Sequence, residues 1–308
     1  MRVSMSKLFP ADRVRALAFA VLVPALAAWA SPATAQVRTF PSPEAAMAAF
    51  GDAVATSDDE ALERLLGASY ATYVPPLGAQ ARYDFLSAWS RSHAIQRSDD
   101  GRAFVAVGSD GWTMPIPIVP SARGWRFDAR GGAEEMRIRQ IGRNERAVMQ
   151  VMLAIVDAQK EYAARDRNGD GIREYASRFI STSGRKDGLY WPTSASEPPS
   201  PLGPAVDAER GARRGADSAY YGYRYRLLDA QGPNAAGGRY DYVVNGRKIG
   251  GFAAIAWPAR YGRTGVTTFA VNHDGVVFEK DLGRDTAARA ASIKRFDPDA
   301  TWRKADPE

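Results

Sequence analysis

Cysteine is absent from all 308 residues, and histidine occurs only twice. The first absence excludes disulfide staples, thiolate metal sites, cysteine nucleophiles and lipidation at a lipobox cysteine, so the fold must rest on an ordinary packed core. With His93 and His273 alone, a Ser-His-Asp relay has two bases to choose from, and no Gly-x-Ser-x-Gly elbow accompanies either. His273 falls at the tip of an expected hairpin. His93 falls at the end of an expected helix, where an imidazolium favours the C-terminal dipole. The His-Glu-x-x-His, phosphate-loop and dinucleotide fingerprints are missing as well. There is no long basic run and no interleaving of aromatics with a Lys/Arg cluster, which argues against nucleic acid as a partner.

What is present begins with a leader pattern. Arg2, Lys7, Arg13 and Arg15 precede an apolar run from Ala16 to Ala30 that contains Pro24, and Ala33-Thr34-Ala35 offers a small-x-small cleavage site. Residues 1–35 therefore read as a secretory signal peptide, and the chain as a periplasmic or secreted protein. A retained anchor is the alternative, and the run is short of the ~18 residues a span needs. Cleavage removes four of the 41 basic and one of the 35 acidic residues and lowers the net charge from +6 to +3.

The mature chain reads as α+β. In residues 36–129, Ser42-Pro43-Glu44 and Ser57-Asp58-Asp59-Glu60 open two helices, and Tyr83 to His93 is a third. Strand patterns follow at Ala103–Val107, Trp112–Val119 and Trp125–Asp128, with Pro115, Pro117 and Pro120 placing the middle one at a sheet edge. The second region, 130–308, opens with a long amphipathic helix from about Glu134 to Ala164, its apolar stripe formed by Ile141, Val148, Met152, Ile155 and Tyr162 and interrupted by Glu145 and Gln159. Tyr175 to Ile180 is expected to resume as a short helix, and the proline-rich stretch 188–205 to lie as a strap over the sheet. From Tyr220 to Gly283 the text is short antiparallel strands, with Asn245-Gly246 and Asp274-Gly275 as hairpin turns. Tyr221, Tyr223, Tyr225, Phe252, Trp257 and Phe269 are expected to cover the long helix.

Two blocks occur together: Arg137 to Glu145 with Asp157 to Ala163, and Gly222-Tyr223-Arg224-Tyr225 through Gln231-Gly232-Pro233 to Val271–Val277. On these the chain resembles the bacterial exported family known as domain of unknown function 2950 over essentially its whole mature length, a family that carries no established activity to transfer. More weakly, Ala158-Gln159-Lys160-Glu161-Tyr162 and the Gly265 to Val276 segment resemble the globular heads of type IV pilins and pseudopilins. The continuous N-terminal membrane helix of those proteins is not matched. Phe40 to Asp128 faintly resembles the start of nuclear-transport-factor-like cone domains.

The clearest motif for chemistry is Asp166-Arg167-Asn168-Gly169-Asp170-Gly171-Ile172-Arg173-Glu174. Oxygens from Asp166, Asn168 and Asp170, the Ile172 carbonyl and the Glu174 carboxylate match a calcium loop, with Ser177 where the bidentate glutamate would stand. Calcium is thus the one cofactor the sequence suggests, a solvated turn being the plainer reading. Asp241 and Glu279, beside Asp229 and Asp281, form the only carboxylate set suited to general acid and base work. Arg224 and Arg226 are available to an anionic envelope polymer. The expected function is a non-enzymatic binding or scaffold protein of the bacterial cell envelope, with an envelope protein or anionic polymer as partner. The alternative is a hydrolase cleaving an envelope polysaccharide through Asp241 and Glu279.

Overall fold

The structure, a computed structural model, describes residues 37–306 except 69, 73–77, 195 and 204–218. The expected signal peptide lies outside the described residues. Among these, no helix is long and apolar enough to cross a membrane.

Helix α1 (Pro43–Thr56) starts where the sequence marks it: the Ser42 hydroxyl accepts the Ala45 N–H at 3.2 Å, and Pro43 takes the first helical position. Helix α2 (Asp59–Leu66) is capped by Asp58, which accepts the Ala61 N–H at 2.8 Å, and ends at Gly67 with φ 93°. Helix α3 runs Ala79–Arg91, four residues earlier than expected. His93 is therefore not a helix terminus but the first residue of β1 (His93–Arg97), its ring stacked on Trp89 at 4.4 Å.

Strands β1, β2 (Ala103–Val107), β3 (Ile118–Ser121) and β4 (Gly124–Phe127) form an antiparallel sheet in that order. The prolines act differently from expectation. β3 sits between β2 and β4, and the run 112–117 keeps a single bridge to the sheet, Thr113 opposite Ala106, instead of forming a continuous edge strand, because Pro115 and Pro117 have no N–H to donate. Phe50, Leu65, Val105, Ile118 and Phe127 fill the core between this sheet and the helices.

Helix α4 (Ala129–Ala163) spans 35 residues, about 52 Å at 1.5 Å per residue. It begins five residues before the expected start, and of the three glycines inside it Gly132 is there for a local reason given below. Its Val148, Met152, Ile155 and Tyr162 pack on an antiparallel sheet ordered β15-β14-β13-β12-β7, built from β7 (Tyr223–Leu228), β12 (Ala253–Pro258), β13 (Thr267–Asn272), β14 (Phe278–Asp281) and β15 (Arg303–Lys304). Helix α5 (Thr286–Ser292) and Phe296 cover the other face. Strand β12 is thus buried on both sides and reads as a continuous apolar run. Trp257 packs with the α5 side, contrary to expectation, whereas Tyr223, Phe252 and Phe269 face α4. Tyr221 also departs from the expected face, being exposed ahead of the strand with φ 49°.

Three two-stranded ribbons complete the fold: β5 (Arg178–Ile180) parallel to β6 (Gly188–Tyr190), β8 (Ala230–Gln231) with β9 (Tyr240–Asp241), and β10 (Val243–Val244) with β11 (Arg247–Lys248). The last pair turns through Asn245 (φ 51°) and Gly246 (φ 78°), both in the left-handed region that a tight hairpin requires. Tyr175 to Ile180 is extended rather than helical, because the Tyr175 N–H goes to Lys248 O and β5 pairs with β6. Leu189, Tyr190, Trp191 and Leu202 of the strap are buried against α4.

Candidate functional site

A cavity of about 780 Å³ opens between α1, α2, α3 and the run 110–116. Phe50 and Val54 of α1 and Leu62 and Leu66 of α2 supply one wall. Arg82, Phe85, Ala88 and Arg91 of α3 also line it. The opposite wall is the proline-interrupted run with Trp112, Met114 and Ile116. This run is held by the bonds of the Ala106–Thr113 bridge, the Met114 N–H to Val105 O at 2.7 Å and the Val107 N–H to Trp112 O at 2.9 Å, and by Arg139 of α4, whose guanidinium donates to Thr113 O at 2.5 Å and Thr113 Oγ1 at 2.9 Å. Gly132 lets α4 close on it, since a Cβ there would stand 2.8 Å from Ile116 Cγ1 and 3.0 Å from its Cα.

Helix α3 shows what the cavity replaces. It carries Phe85, Leu86 and Trp89, yet none of its residues is fully buried. Phe85 meets Phe50 edge to face at 6.0 Å, and the remainder of its inner side borders the cavity where a closed core would continue. Pockets of this size and apolar character are where small molecules bind. The charged lining residues are Asp59, Arg82, Arg91 and Asp110, and the described lining has no histidine, serine, threonine or lysine. No motif marks this pocket in the sequence. The available signal was a surplus of large apolar side chains, Tyr70, Phe85, Trp89 and Trp112, around a proline-broken run.

The five residues expected to hold calcium do share one turn. Asp166 accepts the Gly169 N–H at 2.8 Å and the Asn168 N–H at 3.2 Å through Oδ1, and the Gly171 N–H at 2.8 Å through Oδ2. The Gly171 bond is the main cause holding its pKa below the usual carboxylate value; desolvation works against it, and the bonds from Gly169 and Asn168 lower it further. Asp170 accepts the Ile172 N–H, Asn168 donates its amide to Glu174 at 3.2 Å, and Arg247 from β11 donates to Asp170 Oδ2 at 2.5 Å. Among the described residues, no three His, Asp or Glu side chains converge as a metal would require.

The expected carboxylate set lies apart. Asp241 is on the β8–β9 ribbon and takes Arg295 at 2.9 Å, while Glu279 is on the five-stranded sheet and takes Arg303 at 3.0 Å. Asp229 accepts from the buried Lys248 ammonium at 2.7 Å, and Asp281 from Tyr261 at 3.0 Å. Arg226 caps the end of α5 through the carbonyls of Ala290 and Ile293. His273 is held at the hairpin tip by Tyr240, 3.2 Å from Nε2.

These observations define a mixed α+β protein with an apolar pocket in its N-terminal region and a long helix on a C-terminal antiparallel sheet. The chain belongs to the family described as protein of unknown function (DUF2950), whose model matches residues 37–305. No curated protein and no solved structure matches the chain. The likeness to pilin heads therefore carries no argument here.

Proposed function

We propose that this chain is an exported, non-enzymatic binding protein of the bacterial cell envelope, and that the cavity under α3 is its binding site. The observation that carries the reading is that cavity: about 780 Å³, walled by aromatic and aliphatic side chains, with its acids on the exposed rim and no nucleophile–base pair in its described lining. The leader pattern of residues 1–35 supports export. Asp241 and Glu279 stand on separate sheets and are each engaged by an arginine, so nothing in their arrangement favours the hydrolase alternative.

The test is saturable binding of a neutral, environment-sensitive dye such as N-phenyl-1-naphthylamine to the purified protein. The expected result is one dye per chain, lost when Ala88→Trp fills the cavity while the circular dichroism spectrum is retained. Dye binding that ignores this substitution, or release of sugars from envelope polymer by the protein, would overturn the proposal.

A further inference from the structure

The cavity's charges are unequal in their surroundings, and this difference selects a ligand. Asp59, Arg91 and Asp110 are exposed, the Asp59 side chain at 76%, whereas the Arg82 side chain is 24% exposed and borders the apolar wall. Water screens the exposed charges, and a half-buried guanidinium exerts its field into the cavity with much less attenuation. Arg82 is also under-partnered. A guanidinium has five N–H donors, yet among the described residues its only contact with an acceptor is a single ion-pair approach to Asp59 Oδ1 at 3.5 Å, beyond good hydrogen-bond length. Among the described residues, Arg91 reaches only Ser87 Oγ of its own helix, at 3.4 Å.

Building on the reading of the cavity as the binding site, we propose that its ligand is a long-chain carboxylic acid. The chain lies against Phe50, Leu62, Phe85 and Met114, and the carboxylate sits on Arg82, displacing Asp59 as its partner. A carboxylate accepts two parallel N–H bonds from a guanidinium, a geometry that Asp59 does not reach. The apolar lining holds the chain, and the cation sets which end of the molecule faces α3. A cationic amphiphile of the same length meets Arg82 with like charge and is rejected.

Displacement of the neutral dye from the full protein by dodecanoate, dodecanol and dodecyltrimethylammonium, at matched ionic strength, separates the possibilities. Dodecanoate is expected to bind roughly 10-fold or more tightly than dodecanol, with the ammonium weakest. Arg82→Gln should bring dodecanoate to the level of dodecanol, each affinity being referred to that variant's own dye affinity. Asp59→Asn, which frees Arg82, should strengthen dodecanoate alone. If dodecanol equals dodecanoate, if the ammonium is tightest, or if the dye binds and none of the three displaces it, the acid is wrong although the pocket stands. If the dye itself does not bind, the pocket reading falls first.

Discussion

The carboxamide of Gln159 pairs with the backbone of Ala176 as a second strand would, Nε2 donating to the carbonyl at 3.0 Å and Oε1 accepting the N–H at 2.8 Å. Both residues are fully buried, so no solvent replaces the amide if it is removed. Gln159→Met, which keeps the volume, is expected to cost about 2–6 kcal/mol, since each of the two orphaned backbone groups loses about 1–3 kcal/mol. Urea unfolding at constant m-value measures it. A loss below about 1 kcal/mol would mean that the segment re-pairs elsewhere.

Glu145 ties α4 to the start of β13. Its Oε1 accepts the N–H groups of Val266 at 2.8 Å and Thr267 at 2.9 Å and lies 3.3 Å from the Tyr223 hydroxyl. Burial first, and then the Glu145 charge, pushes the Tyr223 phenol well above its ordinary range, so it stays a donor. Glu145→Gln keeps an acceptor and should cost little. Glu145→Ala should cost about 2–3 kcal/mol, as for bonds to a charged group. Amide hydrogen exchange is the sharper readout: Val266 and Thr267 lose protection only in the alanine variant, and equal protection in both would remove the tie.

Arg247 brings a cation to the Asp166–Glu174 turn by way of Asp170. With that charge in place, the melting temperature of the native protein is expected to change little between excess calcium and chelator. Arg247→Ala uncovers the Asp170 carboxylate and should create a calcium-dependent rise. A rise already present in the native protein would put the ion in the loop beside the arginine. Identical melts for both proteins would remove calcium from the account.

Alkaline pH should loosen the segment that leads into the strap. Tyr162 donates to Lys186 O at 2.6 Å, and its phenol is pushed up to about 12, first by desolvation and then by the charge of Glu174. The neutral form is favoured in the folded state, so this contribution is complete below the ordinary tyrosine value of 10.0 and is lost as pH rises from there through about 12. Unfolding midpoints measured at about pH 9 and about pH 11 should fall for the native protein and fall less for Tyr162→Phe. An equal fall in both would assign the pH dependence to other groups.

Much of the framework was legible because its causes are local. Ser42-Pro43, Asp58 and Asn245-Gly246 act through bonds and φ angles within four residues, and the helix stripe from Val148 to Tyr162 declares itself by spacing. Glu145 and Gln159 read as breaks in that stripe, since a sequence cannot display the N–H groups of Val266 and Thr267, or the backbone of Ala176, that satisfy them. Of the chemistry-bearing residues, the Asp166–Glu174 turn was visible as a unit, while Asp241 and Glu279 were grouped by sequence neighbourhood and the sheets separate them.

By itself the sequence determined the α+β class, the long helix, the hairpin turns and the absence of cysteine chemistry, because each follows from short-range sterics, periodicity or composition. Only the tertiary structure decided that β12 is buried on both faces, that the proline run keeps a single bridge to its sheet, and that Phe50, Arg82, Trp112 and Met136 surround one cavity. A cavity is a relation among side chains dozens of residues apart, and one of its walls follows from what the run 112–117 cannot do: without amide donors at Pro115 and Pro117 it pairs with β2 only at Thr113 and does not continue as a strand.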